Sequence, residues 1–176
     1  IWAEAANFEP LSFSAWDHLH MPSPLQLVPG QPAQAAPAGA LWRLATAAPV
    51  ARSWVVRRAG FFATVRGAAC AEQLVGIPVA SGQADGYPPA AAKVNGTGGA
   101  GWQAPCLECR PGGAWLGVLL PAAAEVRCAL LEQSELASEY AAAVSLERWD
   151  GAAWQSVRRF DGLGGGALQQ LSPAWE

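Results

Sequence analysis

The residues best able to do chemistry in this chain are its four cysteines, Cys70, Cys106, Cys109 and Cys128. Cys106 and Cys109 stand three apart in "NGTGGAGWQAPCLECRPGGAWLG", among glycines, tryptophans and polar turn residues. A structural zinc site wants two close pairs of thiolates, and only one pair here is close. A dithiol redox centre wants its Cys-x-x-Cys to open a helix after a strand, whereas Arg110–Pro111–Gly112–Gly113 follows and forbids a helix start. The even count and this spacing favour two disulfides over zinc or free thiols. The pairing stays open between a local Cys106–Cys109 bridge, leaving Cys70 with Cys128, and a crossed pattern.

Two histidines, His18 and His20, lie in "AWDHLHMP". On a strand both rings would project to one side and, with Asp17 beside them, could hold a metal. No third ligand has a matching spacing, and a metal hydrolase also needs a general base and a shaped cleft. They read instead as exposed or interface histidines, and a metalloenzyme is the remote alternative. There is no Gly-x-Ser-x-Gly nucleophile motif, and Asp85, Glu108, Glu125 and Glu147 are too scattered to argue a glycosidase pair. "LGGGAL" lacks the lysine and the strand–helix context of a phosphate loop. The chain is therefore read as a non-enzyme with no catalytic residues.

Binding chemistry is more legible. Tyr87, Trp102 and Arg110 fall in loop segments, where an indole can stack on the apolar face of a sugar while Arg, Asn and Asp bind its hydroxyls. For Trp102 the competing reading is a core plug. Asn95–Gly96–Thr97 is an N-glycosylation acceptor, and a glycan there would count against a ligand at Asn95.

These residues need a scaffold, and the texture of the chain says which. Charged residues are 14% of the 176 and the net charge is −3, which excludes the basic face of a nucleic-acid binder. Nine tryptophans against one methionine suit a sandwich core or a flat sugar-binding surface. No apolar run is long enough to span a bilayer as a helix; the longest, Ala114 to Ala124, is broken by Pro121. Residues 1–39 carry Pro10, Pro22, Pro24, Pro29, Pro32 and Pro37, so an irregular arm is expected. Its Trp2, Phe8, Phe13 and Trp16 are more aromatic than a free linker would be, and the arm is expected to lie against a partner or against the domain.

From 40 to 172 the reading is an all-β antiparallel sandwich, followed by a tail at 173–176. Strands are expected near 41–46, 52–58 and 60–65, then at "AWLGVLL", "EVRCALLEQ" and "LGGGALQQL". The clearest hairpin is "YAAAVSLERWDGAAWQSVRRF", turning at Asp150–Gly151. It places Val144, Leu146 and Arg148 on one face and Ser145, Glu147 and Trp149 on the other. Trp149 then reads as a contact surface, and Trp115 and Trp154 as core. A helix over 134–147, capped by Ser134, is the alternative there.

The order of these signals from Leu41 to Leu171 resembles the discoidin family, the coagulation-factor type C or galactose-binding-like domains. The likeness is carried by "WRL…SWVVRRAGFFA…C", "AAAKVNGTGGAGW", "AWLGVLLPAAAEVRCALLEQ" and "VSLERWDGAAWQSV". The four-cysteine version is similar to modules in secreted and cell-surface proteins of green algae and other protists. The resemblance implies a jelly roll of eight strands whose loops at one end bind glycans, phospholipid heads or other proteins. It also implies a calcium ion near Asn95, weakened because Asn95 stands where the family has Asp and an amide is a poorer ligand for a hard cation.

The expectation is thus a secreted or cell-surface module that binds a glycan or extracellular protein through Tyr87, Asn95, Trp102 and Arg110. The alternative is a structural module docking, through its arm and Trp149, within a larger extracellular assembly. The ending Trp175–Glu176 also reads as part of a longer polypeptide.

Overall fold

The computed structural model describes residues 36–95 and 99–172. His18, His20, Asp17 and the aromatic residues of the arm therefore lie outside the described residues, as do Gly96 and Thr97. The chain from Leu41 onward folds as ten strands. They are β1 (Leu41–Thr46), β2 (Val55–Arg66), β3 (Ala69–Gln73), β4 (Ile77–Ala80), β5 (Trp102–Gln103), β6 (Trp115–Leu119), β7 (Cys128–Gln133), β8 (Ala143–Trp149), β9 (Trp154–Asp161) and β10 (Leu168–Leu171). The one helical piece among the described residues is a 3-10 turn at Pro89–Ala92.

The strands form two sheets. One runs β4-β6-β1-β8-β9; the other runs β10-β7-β2-β3, with β5 paired to the start of β2. Every ladder between these strands is antiparallel. The expected all-β antiparallel sandwich is the observed architecture, with ten strands among the described residues.

Period-two alternation builds the core between the sheets. Trp42 and Leu44 of β1, Leu116 and Val118 of β6, and Val144 and Leu146 of β8 face inward. They meet Val56, Phe61, Ala129 and Leu131 of the second sheet. Three indoles in this layer each find an acceptor. Trp42 Nε1 donates to the Ala124 carbonyl at 2.9 Å, Trp54 Nε1 to Gln133 Oε1 at 2.6 Å, and Trp102 Nε1 to the Gly82 carbonyl at 2.8 Å.

Several expectations need correction. Strands at 52–58 and 60–65 are one strand, because Gly60 does not turn the chain. It sits mid-strand where a Cβ would come within 2.5 Å of Val94 Cγ2, so its missing side chain makes room for packing. The strands β3, β4 and β5 were not expected. No helix forms over 134–147: Ser134 hydrogen-bonds Glu139, and Ala143–Trp149 is strand. Trp149 lies on the face opposite Val144 and Leu146, as expected, yet it is buried and cannot be a contact surface.

All four cysteines are oxidised, as Cys70–Cys128 and Cys106–Cys109. The first ties β3 to β7 across β2. The second closes the loop that bridges to Val50. No thiolate is left for zinc.

Candidate functional site

The two sheets do not meet along the side where β4 ends one and β3 ends the other. The chain passes between these edge strands through Leu74–Val75–Gly76. Gly76 allows the crossing, since a Cβ there would lie 2.3 Å from the Leu119 carbonyl oxygen. The 3-10 turn comes down beside the gap, and Lys93 bridges to Ala59 of β2. Pro88 is extended and Pro89 opens the turn, a position where a missing N–H costs nothing.

What remains open is a cleft of about 310 Å³. Its floor is Phe61 of β2 with Leu116 and Val118 of β6, and its walls include Val75, Pro78 and Pro89. Three polar side chains stand at it: Gln73, Lys93 and Asn95. The Asn95 amide donates to Gln73 Oε1 at 2.8 Å, and among the described residues the Asn95 carbonyl oxygen and the Gln73 NH₂ group have no partner and can meet a ligand. Lys93 is the single lysine of the chain. It is exposed, and no carboxylate among the described residues pairs with it. Val75 is 77% exposed, and the neighbouring Ile77 on the β4 edge is 62% exposed. The site therefore offers an apolar floor and rim, two amides and one ammonium. That set can hold an amphipathic molecule with hydroxyl, amide or acidic groups; it contains no nucleophile paired with a base.

The four residues expected to bind ligand do not come together. Asn95 is at the cleft. Trp102 is 0% exposed, stacked edge-on against Trp54 at 5.6 Å, so it has no face for a sugar and is the core plug. Tyr87 is half-buried in the turn held by its backbone bond to Ala84, and does not line the cleft. Arg110 is exposed beside the Cys106–Cys109 bridge, with its carbonyl accepting from Thr46 Oγ1, and does not line it either.

The described residues beside Asn95 at the cleft bring no carboxylate to it. Its described neighbours at the cleft supply an amide and an ammonium, and no group of three or more His, Cys, Asp and Glu side chains gathers among the described residues.

Gln73, Lys93 and Val75 were missed by sequence reasoning. The one usable signal was that the only lysine of a lysine-poor chain stands two residues before Asn95. Gln73 and Val75 could be found only by knowing that β3 and β4 are the two sheet edges. Compared with protein-family models, with curated proteins and with solved structures, the chain matches none of them.

Proposed function

We propose that this chain is a non-catalytic extracellular binding module of the galactose-binding-like kind, and that it takes a glycan in the cleft between the β3 and β4 edges. One observation carries the reading: the Gln73–Asn95 amide pair and Lys93, which no carboxylate among the described residues pairs with, stand over an apolar floor. A sugar ring lays its C–H face on Val75, Pro78 and Pro89 while the amides take its hydroxyls. Lys93 favours a ring that carries a carboxylate or sulfate. The volume is at the small end for ligand pockets, which suits one or two rings. Two disulfides fit the oxidising secretory route, and no helix among the described residues is long and apolar enough to cross a membrane.

The alternative, a module docking within a larger extracellular assembly, draws on the exposed apolar residues Val75 and Ile77 of the same edge. Binding of the full chain to neutral and acidic oligosaccharides separates the two. Retention on an acidic glycan, lost in Lys93→Glu and in Val75→Asp at unchanged melting temperature, supports glycan binding. No retention on any glycan overturns it. Intact mass belongs to the same test, because an N-glycan on Asn95 would fill the mouth of the cleft.

A further inference from the structure

The sandwich has a second apolar layer on the wrong side of a sheet. All six residues of β1 are buried, so this central strand is covered on both faces. Trp42 and Leu44 face the core. Leu41 and Ala45 face the other way, and join Val79 of β4, Trp115 and Leu119 of β6, Trp149 of β8 and Trp154 of β9. A solvated outer face of an antiparallel sheet would be polar. Here Leu41 is 1% and Trp115 0% exposed. Among the described residues the only member of this cluster outside the sheet is Ala36.

The polar atoms tell the same story. Each inner indole donor has an acceptor, whereas Trp115 Nε1 and Trp154 Nε1 are buried and have none among the described residues. Buried indole donors normally find partners.

We infer that residues 1–35 are the cover, and that this sheet face is the docking site of the chain's own N-terminal segment. The segment enters the face at Ala36, which already packs on it. It carries Trp2, Phe8, Phe13 and Trp16, apolar enough to match the tryptophan layer. Thirty-five residues reach up to about 115 Å when extended, against roughly 20 Å across five strands, so length does not limit the coverage. A proline-rich extended segment also leaves its carbonyls outside any ladder, free to accept from Trp115 and Trp154. The inference stands apart from the glycan reading, which concerns a different edge of the sandwich.

Photo-crosslinking of the full chain tests it. With p-benzoylphenylalanine placed at Trp154, which is half-buried at the margin of the layer, the expected product is an internal crosslink to residues 1–35 at monomer mass. Crosslinks only between two chains would assign the face to a second copy and overturn the inference; so would reaction with solvent alone. A second measurement uses the full-length chain with Trp2, Phe8, Phe13 and Trp16 all changed to Ser. Radical footprinting should then show oxidation of Trp115 rising severalfold with the strand signal unchanged. Unchanged protection of Trp115 in a monomer would overturn the inference. If this variant fails to fold, the crosslinking result decides.

Discussion

Arg43 and Glu147 stand directly opposite each other across β1 and β8, and their side chains meet at 2.6 Å. The guanidinium also lies over the Trp154 ring, 3.9 Å from its centroid, and near Trp115 at 5.3 Å. A charge is thus held inside the outer tryptophan layer. Burial pulls the Arg43 guanidinium below its ordinary value, and the Glu147 carboxylate opposes that. Removing the carboxylate leaves the cation buried and unpaired. Glu147→Ala should lower stability by about 3 kcal/mol in denaturant unfolding, and the double variant Arg43→Met/Glu147→Leu should recover most of the loss. A loss that persists in the double variant would show that the charge is not what matters.

The two disulfides should differ in weight. Cys70–Cys128 spans 58 residues of sequence and Cys106–Cys109 spans 3. On the chain-entropy estimate, removing the first costs about 4 kcal/mol and removing the second about 2 kcal/mol. The comparison is Cys70→Ala/Cys128→Ala against Cys106→Ala/Cys109→Ala, read as unfolding midpoints. Equal losses would mean that the reduced chain keeps structure that the estimate ignores.

What was legible in the sequence follows from locality. The β8–β9 hairpin was readable because Val144, Leu146 and the Asp150–Gly151 turn carry its pattern within a short stretch. The inward face of β6 was readable from a continuous apolar run. Other features depend on distant residues. Gly60 looked like punctuation, and only Val94, brought in from the far side of a long loop, explains it. Pro78 disguised β4, since a proline is tolerated there only because the strand is a sheet edge. Trp102 could be placed as core rather than contact only once Trp54 stood against it. The cleft depends on the gap left between two edge strands of different sheets, and no sequence period encodes that. The outer burial of Trp115 was equally hidden, because a strand covered on both faces and a strand facing one core can share the same apolar letters.

Gln133 is a polar residue with no exposure, and every one of its groups is used. Its Oε1 accepts from Trp54 Nε1 at 2.6 Å and from the Ala141 N–H at 2.9 Å, while its Nε2 donates to the Ala141 carbonyl at 3.1 Å. The amide pins the loop after β7 to the core indole. Gln133→Leu keeps the bulk but strands these partners, and should cost about 3 kcal/mol with the melting temperature as readout. Gln133→Glu should be at least as harmful near neutral pH, because it places an anion where Ala141 presents a carbonyl. A neutral effect of Leu would mean that water replaces the amide.

Asp150 closes the β8–β9 turn. Its Oδ1 accepts from the backbone N–H groups of Ala153 at 2.7 Å and Ala152 at 2.8 Å, and its Oδ2 accepts from Gln155. These bonds, the Ala153 N–H foremost, hold the carboxyl below its ordinary value of 3.8. A carboxyl whose folded value is depressed contributes stability above its unfolded value, and loses that contribution as pH falls through the folded one. Asp150→Asn keeps an acceptor for the turn but has no charge to lose. The wild type should therefore melt above Asp150→Asn at neutral pH, and the gap should close as the pH drops below the ordinary carboxylate value. Melting curves of both proteins across that range check this. A gap that stays constant with pH would show that the charged form of Asp150 adds nothing to the turn beyond the acceptor that asparagine also provides.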